Sequence, residues 1–210
     1  AAPGPLQGEG ATAAYDRFRS HVLPYGLGNW HPRFFGWVQG NGTPLAMLAE
    51  MLAAGMNPHM GGFNQAPAMV ERQVVQWFGE WLGLPDASGL FVTGGTMANL
   101  HALACARVHM ARGLGREVRH NGVQQWPGET PPPPLVFYGS VETHGWAYKA
   151  AEWLGLGTRA FRAVPVDRDY RVRIDLLAAM IADDRAAGLA PFCILGTAGT
   201  VNTGATDDLD

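Results

Sequence analysis

Lysine is almost missing from this 210-residue chain: of its fifteen cationic side chains only Lys149 is a lysine, and the rest are arginines. Charge of any kind is sparse, at 16% Asp, Glu, Lys and Arg, with a formal net charge of -3 and a pI near 6.2. A weakly charged, slightly acidic chain lacks the electrostatic footprint of a protein that binds nucleic acid or acidic membranes. Cysteine occurs twice, at Cys105 and Cys193, each inside an apolar stretch. Two such residues fit buried free thiols in a reducing compartment better than a disulfide framework or a metal cluster. No run of about 18 apolar residues is present, and no basic segment leads into an apolar one at the start, so neither a transmembrane helix nor a secretory leader is expected. The expected location is the cytoplasm.

What the chain does have is 47% hydrophobic residues, enough for one sizeable core. Residues 1–14 are rich in Ala, Gly and Pro and are expected to fray. A short helix is expected over 15–23. The segment from Asn29 to Pro44 mixes aromatics with Gly and Pro; such a loop cannot solvate itself and must lie against the domain's own core, a ligand or a partner subunit. Helices are expected over 44–54, with a Leu/Met face, and over 68–82, where Gly83 and Pro85 stop the run. Between them Met60–Phe63 reads as a ligand-facing lip. Residues 113–134 are polar and end in four prolines, which predicts a surface loop of polyproline character.

The organising stretch is 89–107. Leu90, Phe91 and Val92 form a short apolar run that predicts a buried strand, and Met97, Leu100, Leu103, Ala104 and Val108 recur at helical spacing. Thr93-Gly94-Gly95-Thr96 turns between them. Two glycines permit a sharp turn and close approach to a ligand, Thr96 can cap the helix, and the free amides at a positive helix end favour an anion such as phosphate. A capped helix that binds nothing reads the same way. The turn is neither a dinucleotide fingerprint nor a Walker A loop. Strands are also predicted at 135–138, 159–166 and 192–195, with helices at 145–154 and 174–187. Alternating strands and helices imply a largely parallel sheet covered by helices, with ligands at the carboxyl ends of its strands. The turns Thr93–Thr96, Ser140–His144 and Thr197–Thr200 would then emerge at one edge and converge on one site. A lone histidine at a strand end is more often a structural hydrogen-bonder, but the coincidence of three such turns marks His144 as functional.

These residues resemble a known family. The run from Phe91 to Leu100, His144 with Lys149 and Ala150, and Gly196-Thr-Ala-Gly-Thr200 followed by Gly204, Ala205 and Asp207 are similar to the group II pyridoxal-phosphate-dependent amino-acid decarboxylases. His31-Pro32 with Phe34-Phe35, and Glu71, look like the segment before the cofactor domain in that family. The resemblance implies an α/β fold of the fold-type I transferase kind, mostly parallel with helices on both faces and incomplete in this chain. Residues 1–67 would be an N-terminal segment with dimer contacts, and 68–210 the first part of the large cofactor domain. It further implies that Gly94, Gly95 and Thr96 hold the phosphate of pyridoxal 5'-phosphate. His144 would stack on the pyridine ring as the catalytic residue, with Thr200 on the other side. Trp37, Val38 and Phe63 would belong to substrate-pocket segments, some contributed across a homodimer interface.

Pyridoxal chemistry needs a lysine for the Schiff base and a carboxylate on the ring nitrogen. In the family both lie further along, and Lys149, Asp207 and Asp208 match other positions. The expectation is a decarboxylase of an L-amino acid of which these residues are the amino-terminal portion, with no turnover by the 210 residues alone. The alternatives are another fold-type I aminotransferase or aldehyde-lyase, or a truncated chain that binds a phosphate or a partner without catalysis.

Overall fold

The computed structural model of the chain describes residue 4 and residues 6–61 and 64–209. They fall into two compact units divided between Pro58 and His59. The first contains α1 (Ala11–His21), a single 3-10 turn at Leu23–Tyr25 and α2 (Pro44–Met56). Thr43 starts α2 by accepting the Ala46 amide on its hydroxyl at 3.2 Å, with Pro44 in the first turn, where a missing N–H costs nothing. Asn57 ends it in the left-handed region at φ 37°. No residue of α2 is buried within this chain, and Leu45, Met47, Leu48, Met51, Leu52 and Met56 all stand exposed.

The second unit runs α3 (Ala66–Trp81), α4 (Gly95–Gly113), a short α5 (Val118–Asn121), β1 (Leu135–Ser140), α6 (Trp146–Trp153), β2 (Phe161–Val164), α7 (Ile174–Ala186) and β3 (Ala190–Ile194). The three strands pair in the order β2-β1-β3, all parallel. Period-two alternation along β1 sorts the core into two layers. Phe137 points to one face and packs with Phe161, with Leu103 of α4 and with Ala147, Ala150 and Ala151 of α6; Val136 and Tyr138 point to the other, with Val164 and Leu177 of α7. The sheet therefore carries helices on both faces, as the sequence pattern implies. The first layer is aromatic at its centre: the Phe137 ring lies 5.3 Å from that of Phe161 and 5.8 Å from that of Phe192. The second layer contains a polar tie. Arg162 makes a two-pronged pair with Asp184, at 3.1 Å from Nε and 2.7 Å from the terminal nitrogen, and the buried Tyr138 hydroxyl donates to the same carboxylate at 2.8 Å. Burial first, and then this hydrogen bond, push the phenol well above its ordinary value.

Four expectations are corrected. Leu90–Val92 lies in none of the three strands among the described residues, and Leu90 and Phe91 are exposed there. Thr96 is not the helix cap: α4 starts at Gly95 with Gly94 as its cap residue, so Thr96 sits within the first turn. Cys105 is exposed rather than buried. It follows the fully buried Leu103 by two residues, about 200° around a helix, which turns it to the opposite side. The 113–134 segment is not loop throughout, since α5 forms within it and buries Val118. Of the Met60–Phe63 lip, Gly62 and Phe63 lie outside the described residues.

Candidate active site

Three segments deliver side chains to the carboxyl edge of the sheet. The first is the entry to α4. Gly94 adopts φ 87°, ψ 161°, a backbone region open essentially to glycine alone. Its amide donates to the Val92 carbonyl at 3.1 Å, and its own carbonyl takes the amides of Met97 and Ala98 at 3.1 and 3.2 Å. No side chain caps the helix. The amides of Gly95 and Thr96 are thus left without an intrahelical acceptor at the positive end of a 19-residue helix.

The second segment leaves β1. Ser140 is buried, accepts the Glu142 amide on its hydroxyl at 3.2 Å and takes the Thr143 amide on its carbonyl at 3.0 Å, folding the chain back over the strand end. This fold needs Gly139: a Cβ there would stand 2.7 Å from the Thr143 hydroxyl and 3.1 Å from the Phe161 ring. His144 then accepts the Trp146 amide on Nδ1 at 3.2 Å. With Nδ1 an acceptor, the neutral imidazole carries its proton on Nε2.

The third segment follows β3. Ala198 and Thr206 form an antiparallel bridge, and the amides of Gly199 and Thr200 both reach the Ala205 carbonyl at 3.0 Å. The Thr200 and Thr203 hydroxyls are hydrogen-bonded. Asp207, 5% exposed, locks this hairpin: one carboxylate oxygen accepts the Val172 amide at 2.8 Å and the other the Thr197 amide at 2.9 Å. Both oxygens are committed to backbone, so this carboxylate holds the hairpin.

The three segments meet around a cavity of about 320 Å³ lined by Gly95, Thr96, Asn99, Glu142, His144, Trp146, Thr197, Gly199, Thr200 and Val201. Of the residues singled out from sequence, Gly95, Thr96, His144 and Thr200 line it, and Gly94 adjoins it as the cap of α4. Trp37 and Val38 belong to the first unit, where both side chains are exposed, and Phe63 lies outside the described residues. Lys149 is exposed on α6 and is not in the lining. Asn99 was not singled out from sequence, although its place one helical turn beyond Gly95 is the signal that finds it. Glu142 and Trp146 flank His144, but no spacing rule separates an inward from an outward side chain within an irregular turn. The donor set suits a phosphorylated aromatic ring: free amides and a helix dipole for the anion, an imidazole for the ring plane, a hydroxyl beside it. Another hollow of about 270 Å³ lies at the opposite end of β1, where Leu114, Val123, Pro132, Pro133 and Leu135 surround Arg116. Its walls are mainly apolar and gather no acid, base or nucleophile. Among the described residues no group of three His, Cys, Asp or Glu side chains could hold a metal, and no helix is long and apolar enough to cross a membrane.

Residues 16–210 match the family described as pyridoxal-dependent decarboxylase conserved domain. The chain is 32% identical over 183 residues to the aromatic-L-amino-acid decarboxylase of Bacillus atrophaeus, a match covering 86% of this chain and 35% of that protein. It is 31% identical to the cysteine sulfinic acid decarboxylase of Mus musculus, over 97% of this chain and 40% of that protein. The structure superposes on that of mouse CSAD with a TM-score of 0.86 at 28% identity, covering 99% of this chain and 42% of that one. It superposes equally, at 30% identity and a TM-score of 0.86, on the glutamate decarboxylase domain of a two-activity protein from Vibrio parahaemolyticus, covering 45% of that chain. The chain spans about 35 to 40% of the length of these curated relatives.

Proposed function

The chain belongs to the pyridoxal-dependent decarboxylase family, whose cofactor is pyridoxal 5'-phosphate, and on that premise we propose that the protein containing these 210 residues removes the α-carboxylate of an L-amino acid. The observation that carries this reading is the convergence of the α4 amides, the His144 imidazole and the Thr200 hairpin on one cavity. The Gly95 and Thr96 amides, opened by the Gly94 turn, hold the phosphate at the positive end of α4. His144 would stack on the pyridine ring. The Trp146 amide on its Nδ1 fixes the ring and keeps the proton on Nε2, where it can be offered to the substrate carboxylate. Thr200 would support the ring from the other side. The cofactor, when bound, supplies the electron sink for the carbon–carbon bond that breaks.

The lysine that anchors the cofactor and the carboxylate for its ring nitrogen belong, in this proposal, to residues other than these. Lys149 stands away from the cavity lining, and both oxygens of Asp207 are spent on amides. The 210 residues alone are therefore expected to release no carbon dioxide. Residues 1–67 serve as the N-terminal segment and 68–210 as the first part of the cofactor domain. The exposed apolar face of α2 supports assembly as a homodimer, and Trp37, Val38 and Phe63 are assigned to the substrate pocket. The proposed compartment is the cytoplasm, consistent with two free cysteines.

The test is the intact mass of the protein isolated from its source, before and after borohydride reduction. The expected result is a mass well above 22.5 kDa that gains one reduced pyridoxal-phosphate adduct. A mass of 22.5 kDa with no adduct would sink the proposal.

A further inference from the structure

Among the described residues, 89–92 pair with none of the three strands; the Phe91 amide meets a side chain instead. It donates to the carboxylate of Glu71 on α3, at 2.8 Å. One turn further along α3, Val75 packs against the same segment: a Cβ built on Gly89 would stand 3.2 Å from its Cγ1 atom. Residues four apart share a helix face, so Glu71 and Val75 present one surface to residues 89–91. Beyond Phe91 the entry is held by backbone bonds of its own, the Gly94 amide on the Val92 carbonyl and the Met97 and Ala98 amides on the Gly94 carbonyl. That sequence of bonds ends at the helix turn whose Gly95 and Thr96 amides line the cavity.

We infer that Glu71 is a positioning residue for the phosphate end of the cavity, acting through the Phe91 backbone and touching neither cofactor nor substrate. The inference rests on the function proposed above. The other two arms of the site leave strands β1 and β3, whereas among the described residues this one is tied to α3 through the Glu71 carboxylate. A carboxylate accepting a backbone amide is stronger than a neutral acceptor, and among the described residues Glu71 makes no ion pair that would compete for it. Loss of that acceptor frees the entry to α4 to drift, and a shift of the amides weakens the grip on a phosphate while leaving contacts to the ring unchanged.

The experiment compares pyridoxal 5'-phosphate with pyridoxal, which lacks the phosphate, by equilibrium dialysis against the whole protein that contains these residues and its Glu71 variants. The wild-type chain is expected to prefer the phosphorylated form. Glu71→Leu is expected to weaken pyridoxal 5'-phosphate binding by about tenfold with pyridoxal binding unchanged, a loss of roughly 1.4 kcal/mol in the preference. Glu71→Gln, which keeps an acceptor oxygen, should stay within about twofold of wild type, and Glu71→Asp, one methylene shorter, should fall between. An undiminished preference in Glu71→Leu, or in Glu71→Asp should the leucine variant fail to fold, overturns the inference. A wild-type chain that does not distinguish the two compounds instead overturns the phosphate site itself.

Discussion

Two of the three arms of the cavity grow out of strands, and the third, among the described residues, does not. The turn carrying His144 leaves β1, the central strand, whose Phe137 and Tyr138 are fully buried and paired on both sides. The hairpin carrying Thr200 leaves β3 and is clamped by the buried Asp207. The entry to α4 hangs on a carboxylate from a neighbouring helix and on glycine geometry. The difference separates two ways of placing a functional group. A strand end inherits the stability of the whole core, whereas a tethered turn depends on a few local bonds and can be disturbed without unfolding anything else.

Phe137→Ala breaks the comparison at its root, because it empties the centre of the aromatic layer from which two arms depart. It should cost about 3–5 kcal/mol, read as a large fall in the urea midpoint, and abolish pyridoxal 5'-phosphate binding. Gly94→Ala sharpens it. Nothing lies within 4 Å of the added Cβ, so the penalty comes wholly from the positive φ. About 1–3 kcal/mol of strain should fall on the α4 entry, lowering the melting temperature by a few degrees while the preference for pyridoxal 5'-phosphate over pyridoxal is lost. Tyr138→Phe probes the anchored side most gently, removing one hydrogen bond worth about 1 kcal/mol. The raised phenol also makes stability depend on pH in a definite direction. Above about pH 10 the unfolded phenol loses its proton while the folded one keeps it, so the folded state binds more protons and stability falls as pH rises. Urea unfolding from pH 9 to 11 should show this decline in the wild-type chain and a shallower one in Tyr138→Phe.

The anchored arms were the legible ones. The runs at 135–138 and 192–195 announce strands because they are short and apolar and, Ile194 apart, are buried or half-buried against helices that the same chain supplies, and the glycine and hydroxyl residues after them mark turns. Leu90–Val92 looked the same by composition, yet a strand is a pairing, and composition does not say whether a partner runs alongside. Thr96 resembled a cap because threonine commonly caps, but Gly94 could take the extended positive-φ cap conformation and moved the helix start forward. The Asp207 clamp and the Glu71 tether join residues far apart in sequence through backbone amides, which every residue but proline offers, so no side-chain pattern announces them. Trp37 and Val38 were assigned by family likeness alone, and their exposure in the first unit neither supports nor opposes that assignment.

The order β2-β1-β3 places the earliest strand of the chain in the middle. During synthesis β1 leaves the ribosome before either neighbour exists, and its β3 edge stays open until Ile194 has been made. A nascent chain paused between β2 and β3 would present an apolar strand with one bare edge, the kind of template that draws in other unfinished chains. Slow translation through that stretch, or a chaperone that covers it, would therefore decide yield more than the final stability does, and a rare-codon block placed ahead of Ala190 should increase aggregation without altering the folded product.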